Sequence, residues 1–157
     1  MTDTAIDELV TGVFSRVTSH ADGLGIFEKV TGHEPKAAPG SGLHCSVWLK
    51  SFRPHPRASG VNVTSAVLTL NVRVEENMLR EPQDDVETAI LAASLRLMAA
   101  YSGDFTLGGT IRNVDLLGAT GVPLQLDGGY VNNGGTLYRC GIITLPIIIN
   151  DVFPQEA

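Results

Sequence analysis

Cysteine is close to absent from this chain. Cys45 and Cys140 are the only two among 157 residues. They stand far apart, each inside a strand-like run, so no disulfide framework is supported and both are expected to be buried thiols. Positive charge is also scarce: 11 Lys and Arg against 17 Asp and Glu give a formal net charge of -6. A chain of pI near 5.1 makes a poor general nucleic-acid binder and a poor membrane-surface protein, because both tasks call for excess Lys and Arg. No apolar run is long enough to span a bilayer, and the acidic opening MTDTAIDELV lacks the basic start and apolar stretch of a signal peptide. Synthesis in the cytosol is the expectation. Also missing are spacings that announce chemistry: HExxH, paired CxxC motifs, GxGxxG and the Walker loop do not occur.

What is present fits one domain over residues 1–157, a length at which folding buries about two thirds of the unfolded surface. Ile6, Leu9, Val10, Val13, Phe14 and Val17 recur at helical spacing. Thr4 with Asp7 resembles a capping box that starts this helix, and Gly23 and Gly25 stop it. A polar stretch rich in Pro and Gly follows, with room for a short strand around Phe27 to Thr31. His44 to Phe52 reads as a strand with Cys45, Val47 and Leu49 on one face, Trp48 and Phe52 on the other. The segment from Arg53 to Gly60 holds Pro54 and Pro56 and is expected to be an exposed loop. Val63 to Val74 alternates cleanly, with Ala66, Leu68, Leu70, Val72 and Val74 sharing a face.

After a polar hinge from Glu75 to Pro82 comes a second helix. Pro82 suits its first turn, Asp84, Asp85 and Glu87 suit the positive end of its dipole, and Gly103 ends it. Val86, Ile90, Ala93, Leu97 and Tyr101 form a stripe that Leu91, Leu95 and Met98 widen, so burial over much of the girth is expected. Then come a strand-like Thr110 to Leu117, a strand around Leu124 to Val131, a tight turn at Asn132 to Gly135, and a last strand from Thr136 to Asn150. Pro146 implies an edge or a bulge there. The order gives an α+β fold: a mixed or antiparallel sheet with two helices packed on one face. Two helices cover about four strands on one side only. The second face, carrying Trp48 and Phe52, is expected to be left for a partner.

Candidate chemistry is thin. His33 with Glu34 and His44 with Cys45 hold metal-type ligands without a ligand spacing, so neither a metal nor a catalytic group is assigned. Asp84, Asp85 and Glu87 have a sufficient reason in the helix dipole. Gly108-Gly109 and Gly128-Gly129 read as turns. Asn62-Val63-Thr64 fits a glycosylation acceptor that a cytosolic chain would not use. Lys50, Arg53, His55 and Arg57 make one basic cluster, either a solvated loop or a docking element that orders on binding.

The element order, ENMLREPQDDVETAILAASLRLMAAYSGDF, the following GGTIRNVDLLG and the closing LYRCGIITLPIIIND resemble tail terminator proteins of long-tailed bacteriophages that infect actinobacteria. The resemblance runs from the first helix to Asp151. It implies a structural virion protein of the tail and neck, assembled in the host cytoplasm. Such a protein is a homo-oligomeric ring, usually a hexamer, which ends growth of the tail tube and presents a surface to the head-tail connector. It implies no enzymatic activity and no cofactor. Its partners would be further copies of itself, the tail tube protein and the connector protein, with genome DNA passing through a negative lumen without specific binding. Trp48, Lys50, Phe52, Arg53 and Arg57 are the candidate interface residues. Two readings compete: a head-completion or tube protein of the same virion, and a small α+β enzyme or ligand-binding domain. The last would show a deep apolar pocket with converging polar groups.

Overall fold

The computed structural model describes residues 1–36, 40–55, 63–79 and 82–154. The chain is α+β: two helices and a curled, mixed sheet of six strands. In order they are α1 (Asp3–Leu24), β1 (Lys29–Thr31), β2 (Leu43–Pro54), β3 (Val63–Asn77), α2 (Asp85–Gly103), β4 (Asn113–Val114), β5 (Gln125–Asn133) and β6 (Thr136–Pro154). The strands lie in the order β1-β2-β3-β6-β4, with β5 also on the β6 edge; β1 runs parallel to β2 and every other pair is antiparallel.

Thr2, not Thr4, caps α1: its hydroxyl accepts the Ala5 amide at 3.2 Å, and Gly25 closes the other end in the left-handed region. Likewise α2 begins three residues after Pro82, with Asp85 and Glu87 in its first turn, and it retains Gly103. Its predicted stripe is buried from Val86 to Tyr101, each large apolar side chain adding about 1.5–3 kcal/mol. The expected wider burial holds at Met98, which packs partly buried against the core, and fails at Leu91 and Leu95, which are about half exposed. The helix touches the sheet along one line only, and there it lies close. A Cβ on Gly141 of β6 would stand 2.8 Å from the Ser94 hydroxyl of α2, so only glycine fits.

The core fills the space between the helices and Cys45, Val47, Leu70, Val72, Ile143 and Leu145 of the sheet. The Tyr101 hydroxyl of α2 donates to the Val17 carbonyl of α1 at 3.2 Å. Beyond α2, Asp104 accepts from Arg16 at 2.6 Å and lies 2.7 Å from His20, so it ties α2 to α1. The Arg16 guanidinium holds this carboxyl well below the ordinary aspartate value.

Several other expectations shift. Glu75, Glu76 and Asn77 belong to β3 and not to a hinge. The stretch from Thr110 to Leu117 supplies only the two residues of β4. Gly128 and Gly129 lie inside β5; the turn is made by Gly134 and Gly135, both at positive φ, and it joins β5 to β6 as a tight hairpin. Most instructive is Pro146. β6 is a central strand along most of its length, with β3 on one side and β5, then β4, on the other. Pairing to β5 starts at Thr144 and pairing to β4 ends at Ile147. Pro146 stands in the gap between those partners, where a missing N–H breaks no ladder on that side.

Candidate assembly interface

The second face of the sheet is not the open surface expected. Val67, Thr69, Arg73, Glu75, Tyr138, Cys140, Thr144 and Ile148, all pointing away from the helices, are buried within the subunit. Arg53, on that face of β2, donates to the Thr120 carbonyl in the loop after β4. β2 and β4 stand three strand spacings apart, roughly 14 Å in a flat sheet. An arginine bridges that separation only because the sheet curls and the loop folds inward. The concave face therefore shields itself, and Trp48 is half-buried there beneath the Arg73 guanidinium, 5.1 Å from the ring centre.

Phe52 does not share that face with Trp48. Register slips at Lys50: Leu49 pairs with Leu70, but Ser51 pairs with Thr69 and Phe52 with Leu68. One extra residue reverses the parity of everything beyond it. Phe52 therefore joins the helix side and Arg53 the concave side. The sequence carried a trace of this: apolar residues at 45, 47 and 49 are followed by one at 52, across the polar pair Lys50-Ser51.

The flipped phenylalanine opens a groove. Between the first half of α1 and the ends of β2, β3 and β6 lies a space of about 280 Å³ lined wholly by apolar side chains, among them Leu9, Phe14, Leu49, Phe52 and Phe153. The Phe52 and Phe153 rings meet edge to face at 5.9 Å between centres. Leu49 is 55% exposed and Phe52 42%, a large apolar contribution to surface from adjoining side chains.

Near the same end stands a feature that the sequence did not announce. Asp115, itself buried, accepts from the amides of Gly118, Ala119 and Thr120 and from the Thr120 hydroxyl. Burial alone would raise its pKa, but these donors outweigh it and hold the carboxyl below the ordinary value. The tight loop so formed presents Leu117 at 94% exposure. Nothing in the run Leu116-Leu117-Gly118 tells which leucine points out; the Asp115 turn decides it.

On the concave face, His44 of β2, Glu75 of β3 and Cys140 of β6 stand in one row across three strands. His44 Nε2 lies 2.9 Å from the Ser41 carbonyl, which can only accept, so this nitrogen carries the proton. His44 Nδ1, Glu75 Oε1 and Arg73 Nε are buried without a hydrogen-bond partner. Burial raises the Glu75 carboxyl above its ordinary value, against the pull of Arg73 and His44. Burial also pushes Cys45 up to about 12 and raises Cys140, so both are neutral thiols and poor nucleophiles. Among the described residues no group of three or more His, Cys, Asp and Glu is placed to hold a metal. The His33 ring nitrogen Nδ1 lies 3.0 Å from the neighbouring Glu34 carbonyl.

The basic cluster is divided. Lys50 and Arg53 belong to β2, and His55 is buried, its amide donating to the Ser65 carbonyl at 2.8 Å. Arg57 and Asn62 lie outside the described residues. Of the candidate interface residues among those described, Phe52 alone lines the groove. Among the described residues no helix is long and apolar enough to cross a membrane. Compared with known proteins, the chain matches no family model and no curated sequence.

Proposed function

We propose that this chain is a structural subunit that assembles with copies of itself into a ring of six, which caps a phage tail tube and joins it to the head connector. One observation carries the reading: an apolar groove with exposed Leu49 and Phe52 at one end of the sheet, close to the sequence elements that resemble tail terminators. A ligand-binding or enzymatic reading would want polar groups converging on that groove to orient a substrate, and its lining is apolar throughout. A groove at one place and its complement at another make a head-to-tail contact, which closes into a ring when its rotation divides the circle.

The test is Phe52→Asp. Its side chain is at the surface, so the subunit should keep its helices by circular dichroism. A charge buried between copies should weaken assembly by several kcal/mol, and rings seen by negative-stain imaging of the wild type should vanish. Wild-type protein that forms no ring, alone or with tail tubes added, overturns the proposal.

A further inference from the structure

We propose that β5 is a docking edge for a second copy of this chain, pairing antiparallel with the β5 of that copy about a two-fold axis at Gly129. Free sheet edges are templates for pairing, and proteins blunt them with short strands, lysine, proline or bulges. This sheet blunts its other edges in those ways. β1 has three residues and β4 two, and the part of β2 beyond β1 carries the bulge, Lys50 and Pro54. β5 has none of these devices. It runs nine residues in unbroken register with β6, contains no Lys, Arg or Pro, and has no second strand partner among the described residues.

The strand is also held ready. Arg139 of β6 donates to the Gly129 carbonyl at 2.9 Å and to both carboxylate oxygens of Glu87, while its guanidinium lies 4.6 Å from the centre of the Tyr130 ring. A Cβ at Gly128 would come within 2.9 Å of that guanidinium, so a side chain there would displace the head of Arg139 from this clamp. Tyr130 is left 61% exposed beside the open edge.

A second copy is the occupant that charge and length favour. Only the register centred on Gly129 pairs the whole strand with itself, Gln125 meeting Asn133 at both ends. It sets Tyr130 across from the bare Gly128, a pairing in which an aromatic covers a glycine. It sets Asp127, the one charged residue of the strand, across from Val131 and keeps the two Asp127 carboxylates four residues apart, roughly 14 Å along the strand. The pairing is independent of the ring.

The experiment is sedimentation equilibrium on the full chain and two variants at Val131, with circular dichroism to confirm that all three fold. All three carry Phe52→Asp, which removes the ring contact, and with Val131 kept the chain should be a reversible dimer of twice 16.7 kDa. Val131→Asp sets like charges opposite Asp127 twice per dimer and should weaken it roughly tenfold. Val131→Lys sets opposite charges there and should leave the dimer as tight or tighter, the difference shrinking in high salt. Damage to the subunit itself would move both variants alike. A chain with Val131 kept that stays monomeric, variants that shift together, or a self-association that Val131→Asp leaves unchanged overturns the proposal. Phe52→Asp separates the two ideas, since it should abolish the ring and spare the dimer.

Discussion

Replacing Arg73 by methionine is expected to lower the stability of the folded chain by about 3–5 kcal/mol, the usual cost of stranding a buried charge. Arg73 Nε stands 3.3 Å from Glu75 Oε2, and both side chains are almost wholly removed from solvent. Glu75 already folds at a cost. Its pKa is raised in the folded state, so the unfolded chain gives up this proton first, and stability drains away as pH rises above the ordinary glutamate value of 4.5. Without Arg73 the folded pKa climbs further and the loss above 4.5 grows steeper. Glu75→Gln alone should flatten that slope but also lower stability, because it leaves the Arg73 charge buried without its partner. Arg73→Met with Glu75→Leu should recover most of what the single change loses, because an apolar pair leaves no charge to strand. Denaturant melts of the variants between pH 4 and 8 measure all of this. An Arg73→Met protein that melts like wild type, or a double variant as weak as the single one, would show that the pair is not coupled.

Asp115→Ala is the second large effect, with an expected loss of roughly 2–4 kcal/mol for a buried carboxylate that accepts from three amides and a hydroxyl. The sign of its pH dependence is opposite to that of Glu75. A carboxyl held below its ordinary 3.8 stabilises the fold above that value, and the contribution is lost as pH falls through the lower folded pKa. Wild type should therefore lose stability in acid over a span where Asp115→Ala, which has nothing there to lose, changes less. The variant should also release the Thr120 carbonyl from its position over the concave face, weakening the Arg53 bond, and free the turn that presents Leu117. A variant melting within a degree or two of wild type at neutral pH would contradict this.

The sequence by itself determined the class of the fold and most of its elements, because period-two and period-3.6 patterns are local. The stripe from Val86 to Tyr101, the face of β3 from Ala66 to Val74, the turn at Gly134-Gly135 and the burial of both cysteines follow from spacing and side-chain chemistry alone. The rest depended on where strands sit beside one another. Pro146 fits a central strand because β6 changes partner there, which no local pattern records. The bulge at Lys50 moved Phe52 to the helix side, and with it the apolar groove, since parity is inherited along a strand until one residue breaks it. The sheet curls, and Arg73, Glu75 and His44 are buried on a face that two helices could not cover, where a flat sheet would have left them for a partner; Arg53 ties the far end of that face to Thr120. The edge of β5 became the open one only because β6 is central and the other edges end short or carry a bulge, lysine or proline.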